Sequence, residues 1–245
     1  MTDNAKRLRE LHRPGDPLLL PNVWDAGSAK IVQEAGFPAL ATASAAVAAS
    51  LGYPDHEGAP AGEMFAAAGR VIRVATVPVT VDAEAGYGLQ PAELVERLLA
   101  IGAAGCNLED TYAGELAEPG AQAEFIAAVR DAAGDALVIN ARADTFVAKA
   151  PDPVDGAIAR GRLYIEAGAD CVYPITAPFD AVPALVAGIP GPVNVNNMPG
   201  SSLADLAAAG AARVSYGPMP YLRALDAVKE FAGRVLANEN PYGPA

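Results

Sequence analysis

Short apolar runs recur along the chain at residues 18–23, 39–42, 77–84, 105–109, 136–142, 171–175, 193–196 and 213–216, with amphipathic stretches of helical period between them. Runs of about five residues alternating with helices predict a parallel sheet with right-handed crossovers. About eight such units predict an α/β fold of the closed (β/α)8 barrel type, with a doubly wound sheet as the competing architecture. Asp25 or Ser28 is placed to open the first helix between strands, and Gly36 to close it. Further Ala-Gly tags stand before later strands (Gly102-Ala-Ala-Gly105, Glu166-Ala-Gly-Ala169, Ala209-Gly-Ala211) and read as helix C-caps. No linker divides the pattern, so residues 1–245 are expected to form a single barrel domain, with 238–245 as a loose tail.

The composition narrows what such a barrel could serve. With 52% apolar and 19% charged residues the chain is globular, and its net charge of −12 argues against nucleic acid and anionic membrane as partners. Cys106 and Cys171 lie inside apolar runs, which suits core positions better than a zinc site or a disulfide. The polar N-terminus has no apolar leader and no run is long enough to span a bilayer, so a cytoplasmic location is expected.

Chemistry in this fold class sits at the C-terminal ends of the strands, and here those ends are polar. If the third strand runs to Glu84, then Thr80, Asp82 and Glu84 share a face. Ser44 follows the second strand, Asn107 and Glu109 end the fourth, and Asn140, Arg142 and Asp144 end the fifth; Asn194, Asn196 and Ser215 belong to the last two. Asn140, Asn194 and Asn196 recur at alternate positions, so they are read as facing the barrel mouth as substrate contacts. Asp82, Glu84 and Glu109, with Asp55 nearby, are too many anions for a dry pocket without a cation. Oxygen ligands without His or Cys favour Mg²⁺, with Mn²⁺ possible, over zinc. Arg142 suits a substrate carboxylate, against the plainer reading of an ion pair with Glu109 or Asp144. A metal and an arginine together suit a small 2-oxo acid handled as a metal-stabilised enolate.

The segments Asn22-Val-Trp-Asp-Ala26, Ser50-Leu-Gly-Tyr-Pro-Asp55, Asp82-Ala-Glu-Ala-Gly-Tyr-Gly88, Asn107-Leu-Glu-Asp110 and Asn140-Ala-Arg-Ala-Asp144, in this order, resemble the isocitrate lyase / phosphoenolpyruvate mutase superfamily. The resemblance implies a Mg²⁺-dependent barrel enzyme acting beside a pyruvate-like enolate. It implies Asp82 as direct metal ligand, with Asp55, Glu84 and Glu109 acting through water. Ser44 and the backbone around it, Ala45 included, would hold the pyruvyl carboxylate or oxyanion, and Arg142 would contact substrate.

The loop after the fourth strand departs from the pattern. The superfamily's carbon–carbon lyases carry a Lys-Cys-Gly-His type sequence there, whereas residues 110–120 have no Cys, His or Lys. Isocitrate and methylisocitrate lyase activities are therefore not expected. Tyr112, Glu115 or Glu118 could donate the proton, against the reading of a solvated acidic loop. Trp24 is expected to pack or line the mouth, His12 to lie on the surface, and His56 to sit in a loop. The expectation is a Mg²⁺-dependent lyase of a small 2-oxo or 2-hydroxy (di)carboxylic acid, with Arg142, Glu109 and Tyr112 as its catalytic groups. The alternatives are a phosphonopyruvate-type C–P enzyme and a non-catalytic 2-oxo acid binding protein. A homo-oligomer is expected, because the superfamily's eighth helix is often exchanged between subunits.

Overall fold

The computed structural model describes residues 2–112 and 114–242. Its strands are β1 (Leu18–Leu20), β2 (Asn22–Val23), β3 (Leu40–Thr42), β4 (Val79–Asp82), β5 (Gly105–Leu108), β6 (Thr111–Tyr112), β7 (Glu115–Leu116), β8 (Val138–Arg142), β9 (Cys171–Tyr173), β10 (Asn194–Asn196) and β11 (Arg213–Ser215). Parallel pairing runs β2-β3-β4-β5-β8-β9 and then β10-β11-β1, and the Val172–Val193 bridge joins β9 to β10. Pro21, which has no N–H for a ladder, splits the first stave: β1 before it pairs with β11 and β2 after it with β3. The ring therefore closes into the (β/α)8 barrel, while β6 and β7 form a small antiparallel hairpin in the loop after β5.

The helices are α1 (Thr2–Glu10), α2 (Ala26–Glu34), α3 (Ser44–Leu51), α4 (Ala61–Val74), α5 (Pro91–Ile101), α6 (Pro119–Ala133), α7 (Pro153–Glu166), α8 (Val182–Gly188), α9 (Leu203–Ala208) and α10 (Met219–Leu236). Asp25 and Ser28 are both used at the start of α2, in a reciprocal capping box. Gly36, Gly168 and Gly210 follow helix ends with positive φ, as the Ala-Gly tags suggest. The fourth tag divides its labour. Gly102 takes the left-handed cap of α5, whereas Gly105 begins β5 where a Cβ would stand 2.7 Å from the Val138 carbonyl oxygen.

α1 covers the N-terminal end of the barrel. Leu8 is fully buried against Leu18, Leu20, Ala39, Ala41, Ala104 and Val138, and Arg9 pairs with Asp170 at 2.6 Å. His12 is consequently not on the surface: it is 7% exposed, its Nδ1 donates to the Leu8 carbonyl oxygen at 2.8 Å, and burial beside Arg213 lowers its pKa to about 4. Cys106 and Cys171 are buried core residues, as expected. Among the described residues no helix is long and apolar enough to cross a membrane. Residues 238–242 follow α10 as an exposed stretch, and the remainder of the expected tail lies outside the described residues.

Candidate active site

β4 ends earlier than its sequence pattern suggests. The ladder stops at Asp82, and Glu84 turns left-handed at φ 48°, so the shared face of Thr80, Asp82 and Glu84 holds only for the first two. The small residues after β3 let α3 begin at once, and its N-cap Ala43 has no side chain to bond the first turn. Asp82 supplies that acceptor from the neighbouring stave. Its Oδ2 takes the Ser44 N–H at 3.1 Å, and its own N–H donates to Thr42 Oγ1 at 2.8 Å. The other oxygen, Oδ1, is buried without a hydrogen-bond partner, as is Oδ1 of Asp55. Both carboxylates line one chamber of about 160 Å³ with Ser44, Ala45, Glu109 and Arg142.

The charges around this chamber are closely coupled. Arg142 is 7% exposed; it pairs with Glu109 and grips Asp144 twice, at 3.0 and 2.8 Å, so its pKa lies above the ordinary arginine value. Its ion pairs with Glu109 and Asp144 are thus present, and its side chain still forms part of the chamber wall. Burial pushes Glu109 up to about 8 against the pull of Arg142, with Asp144, Asp82 and Glu84 adding to the rise. Burial likewise raises Glu84 to about 7. Its carboxylate accepts the Tyr87 hydroxyl at 2.9 Å and the Glu57 N–H, and it lies just outside the chamber wall.

Asp110 ties this floor to α7. Its Oδ1 accepts the Asp144 N–H at 2.8 Å, and its Oδ2 accepts Arg160 at 2.9 Å and the Tyr164 hydroxyl at 2.6 Å. The loops carrying Glu109 and Arg142 are thereby fixed to each other.

Several expected contacts lie elsewhere. Asn140 bonds Asn107 at 2.8 Å and Asn194 bonds Ser215 at 3.2 Å; both asparagines are fully buried and neither lines the chamber. Asn196 Oδ1 accepts the Thr176 N–H and so holds the loop after β9. Trp24 packs edge-on against Tyr221 at 5.3 Å and borders a separate outer cavity. The Tyr112 hydroxyl, on the hairpin, donates to Gln122 Oε1 at 3.0 Å and does not reach the chamber. The sequence reading passed over Arg213, which is fully buried inside the barrel and bonds Ser215 at 3.4 Å and Asn107 at 3.2 Å. Arg213 stands two residues before Ser215 on the same strand, so alternation puts the two on one face.

A phosphoenolpyruvate phosphomutase family model matches residues 8–236. The chain belongs to this family. It lies within the isocitrate lyase / phosphoenolpyruvate mutase superfamily, as the five sequence segments suggested, and its characterised relatives are enzymes. An uncharacterized protein of Mycobacterium tuberculosis is 36% identical over 239 residues, 95% of this chain and 92% of its own length. The 2-methylisocitrate lyase of Bacillus subtilis is 33% identical over 69% of this chain, which spans 59% of that enzyme. A crystal structure of a putative phosphonomutase from Burkholderia cenocepacia superposes with a TM-score of 0.88 at 41% identity, covering 94% of this chain and 99% of that one.

The donor set fits a hard divalent cation. It offers carboxylate oxygens, two of them buried and unpartnered, in a wall where acids outnumber the single arginine. Among the described residues no three His, Cys, Asp or Glu side chains form a ready-made cage.

Proposed function

We propose that the chain is a Mg²⁺-dependent lyase that breaks a carbon–carbon bond beside the 2-oxo or 2-hydroxy group of a small carboxylic acid, with Mn²⁺ as a possible substitute. The observation that carries this reading is Asp82, whose one carboxylate oxygen is held by the start of α3 while the other is buried and unpartnered at the chamber. Asp82 would hold the ion directly, with Asp55, Glu109 and, from behind, Glu84 holding its water. Bound there, the ion would supply positive charge where the 2-oxo oxygen becomes negative as the bond breaks.

The protein groups have separate tasks. The Ser44 hydroxyl and the Ala45 N–H at the start of α3, where the Ser44 N–H is already taken by Asp82, would donate to a substrate carboxylate at the favourable end of the helix. Arg142, fixed by Asp144, would turn its remaining surface to the same substrate and keep Glu109 in place. Asn140 and Asn194 would brace neighbouring staves, and Asn196 the loop after β9, instead of touching substrate. The Tyr112 hydroxyl could serve as proton donor only after leaving Gln122.

The reading is tested by turnover of a panel of 2-oxo and 2-hydroxy acids with and without Mg²⁺. Loss of at least about a hundredfold in kcat/KM in Asp82→Asn is expected, since a preorganised charge site of this kind contributes on that scale; full metal-dependent turnover in the variant would refute the assignment. The same chamber acting on a phosphonopyruvate-type C–P bond is the second reading, supported by the 41% identity to the putative phosphonomutase. Phosphate release from that substrate would distinguish it. Tight oxalate binding with no turnover of any acid would instead favour a non-catalytic 2-oxo acid binding protein.

A second copy of the chain is the proposed partner of α10. None of this helix's residues is fully buried, although Tyr221 packs on Trp24, and Met219, Leu222, Leu225, Val228, Phe231 and Val235 are exposed along it.

A further inference from the structure

Beside the active-site chamber lies a second one of about 280 Å³, and the two share His56, Glu109 and Val147 as common wall. The remainder of its lining includes Glu57, Thr111 and Ala148. His56 and Glu57 reach it through an uncommon backbone, both left-handed at φ 62° and 57°. That conformation is locked from outside. The Glu57 N–H donates to the Glu84 carboxylate, and the Glu57 carboxylate accepts the Tyr87 N–H. His56 is therefore presented at the junction of the chambers by a braced loop.

The polar content of the second chamber is unequal in sign. Two carboxylates, Glu57 and Glu109, stand in its wall, and no Lys or Arg among the described residues lines it. Arg142, the one Lys or Arg lining the neighbouring chamber, is already engaged by Glu109 and Asp144. Thr111 adds a buried hydroxyl whose oxygen has no partner, while Val147 and Ala148 contribute apolar surface. A second anionic group placed here would face the Glu57 carboxylate and find no lysine or arginine free to pair with it. An uncharged alkyl or hydroxyalkyl group would meet Val147, Ala148 and the Thr111 hydroxyl.

We infer that the substrate has a single carboxylate at its 2-oxo or 2-hydroxy head and an uncharged tail of several non-hydrogen atoms seated in this second chamber. The inference rests on the proposed function, from which the head group is taken, and narrows its substrate class. His56, Thr111, Val147 and Ala148 are then the residues that select the tail.

Calorimetric titration of the full chain in the presence of Mg²⁺ separates the two levels. Oxalate and pyruvate report the head alone. The series 2-oxobutanoate, 2-oxopentanoate and 2-oxohexanoate adds an uncharged tail, and oxaloacetate, 2-oxoglutarate and phosphonopyruvate add a charged one. Affinity is expected to rise by about fourfold per buried methylene along the uncharged series. The charged acids should bind at least about tenfold more weakly than uncharged acids of similar length, because their second anion finds no free partner. In Val147→Arg, which places a cation at the junction, that preference should reverse.

Binding of the heads together with equal or tighter binding of the charged acids would overturn the tail assignment and leave the proposed function standing. Failure of oxalate and pyruvate to bind would overturn both. Unchanged preference in a folded Val147→Arg variant would remove the tail from this chamber.

Discussion

Asp82 shows how a functional residue can serve the fold without spending all of its bonding capacity: one oxygen completes a helix start that lacks a capping side chain, and the other stays free. His12 gives the residue scale its clearest titration. Its pKa is lowered in the fold from 6.5 to about 4 by burial beside Arg213, so between those values the unfolded chain binds a proton that the native one refuses. Its contribution is present in full above pH 6.5 and is lost as the pH falls towards 4. The shift is worth about 3 kcal/mol. The stability difference between wild type and His12→Gln, measured by urea unfolding from pH 4 to 7, should therefore grow in favour of wild type by up to that amount; a pH-independent difference would contradict it. The sequence could not announce this residue, because what buries it is the docking of α1 across the barrel end, a tertiary event. Arg213, two residues before Ser215 on the same strand, is legible by alternation, although arginine is a rare barrel-interior residue.

Elements were more readable than individual roles. Strand and helix starts follow from local chemistry, and the Asp25–Ser28 box is a case where two candidate caps proved to act together. Asp25→Ala should lower the unfolding free energy by about 1 kcal/mol, the usual cost of losing an N-cap, with the barrel otherwise intact; chemical denaturation with an unchanged m-value would verify it. The end of β4 was misjudged for a physical reason. Alternation describes where side chains point only while the backbone stays extended, and nothing in Ala83-Glu84-Ala85 signals the left-handed turn at Glu84. The hairpin β6–β7 escaped notice because its two-residue strands are too short for periodicity. Its bond from Tyr112 to Gln122 depends on where α6 begins. Residue type and spacing do not tell a substrate contact from an internal hydrogen bond: Asn140 and Asn194 bond Asn107 and Ser215, and Asn196 holds the loop after β9.

At the scale of the whole molecule, barrel closure brings Asp55, Asp82, Glu109 and Arg142 from separate loops and staves to one mouth, while α10 extends an apolar face away from it. Val228 is 63% exposed on that face, and burying such a side chain against a second copy would stabilise association by about 1.5–3 kcal/mol. Sedimentation should show an oligomer for wild type and a shift towards monomer for Val228→Glu; a monomeric wild type would contradict the proposed partner. The acids of the mouth were legible from strand ends and from the family segments. What they bind, and how far the substrate extends past its head, depends on chamber walls built by loops distant in sequence.

The proposed chemistry requires those acids to hold a cation for a small keto acid. Calorimetric titration of oxalate into the wild-type protein with Mg²⁺, with EDTA, and into Asp82→Asn with Mg²⁺ tests it most directly. Binding that requires Mg²⁺ and falls by at least about tenfold in Asp82→Asn is the predicted result. Equal oxalate affinity under all three conditions would contradict it.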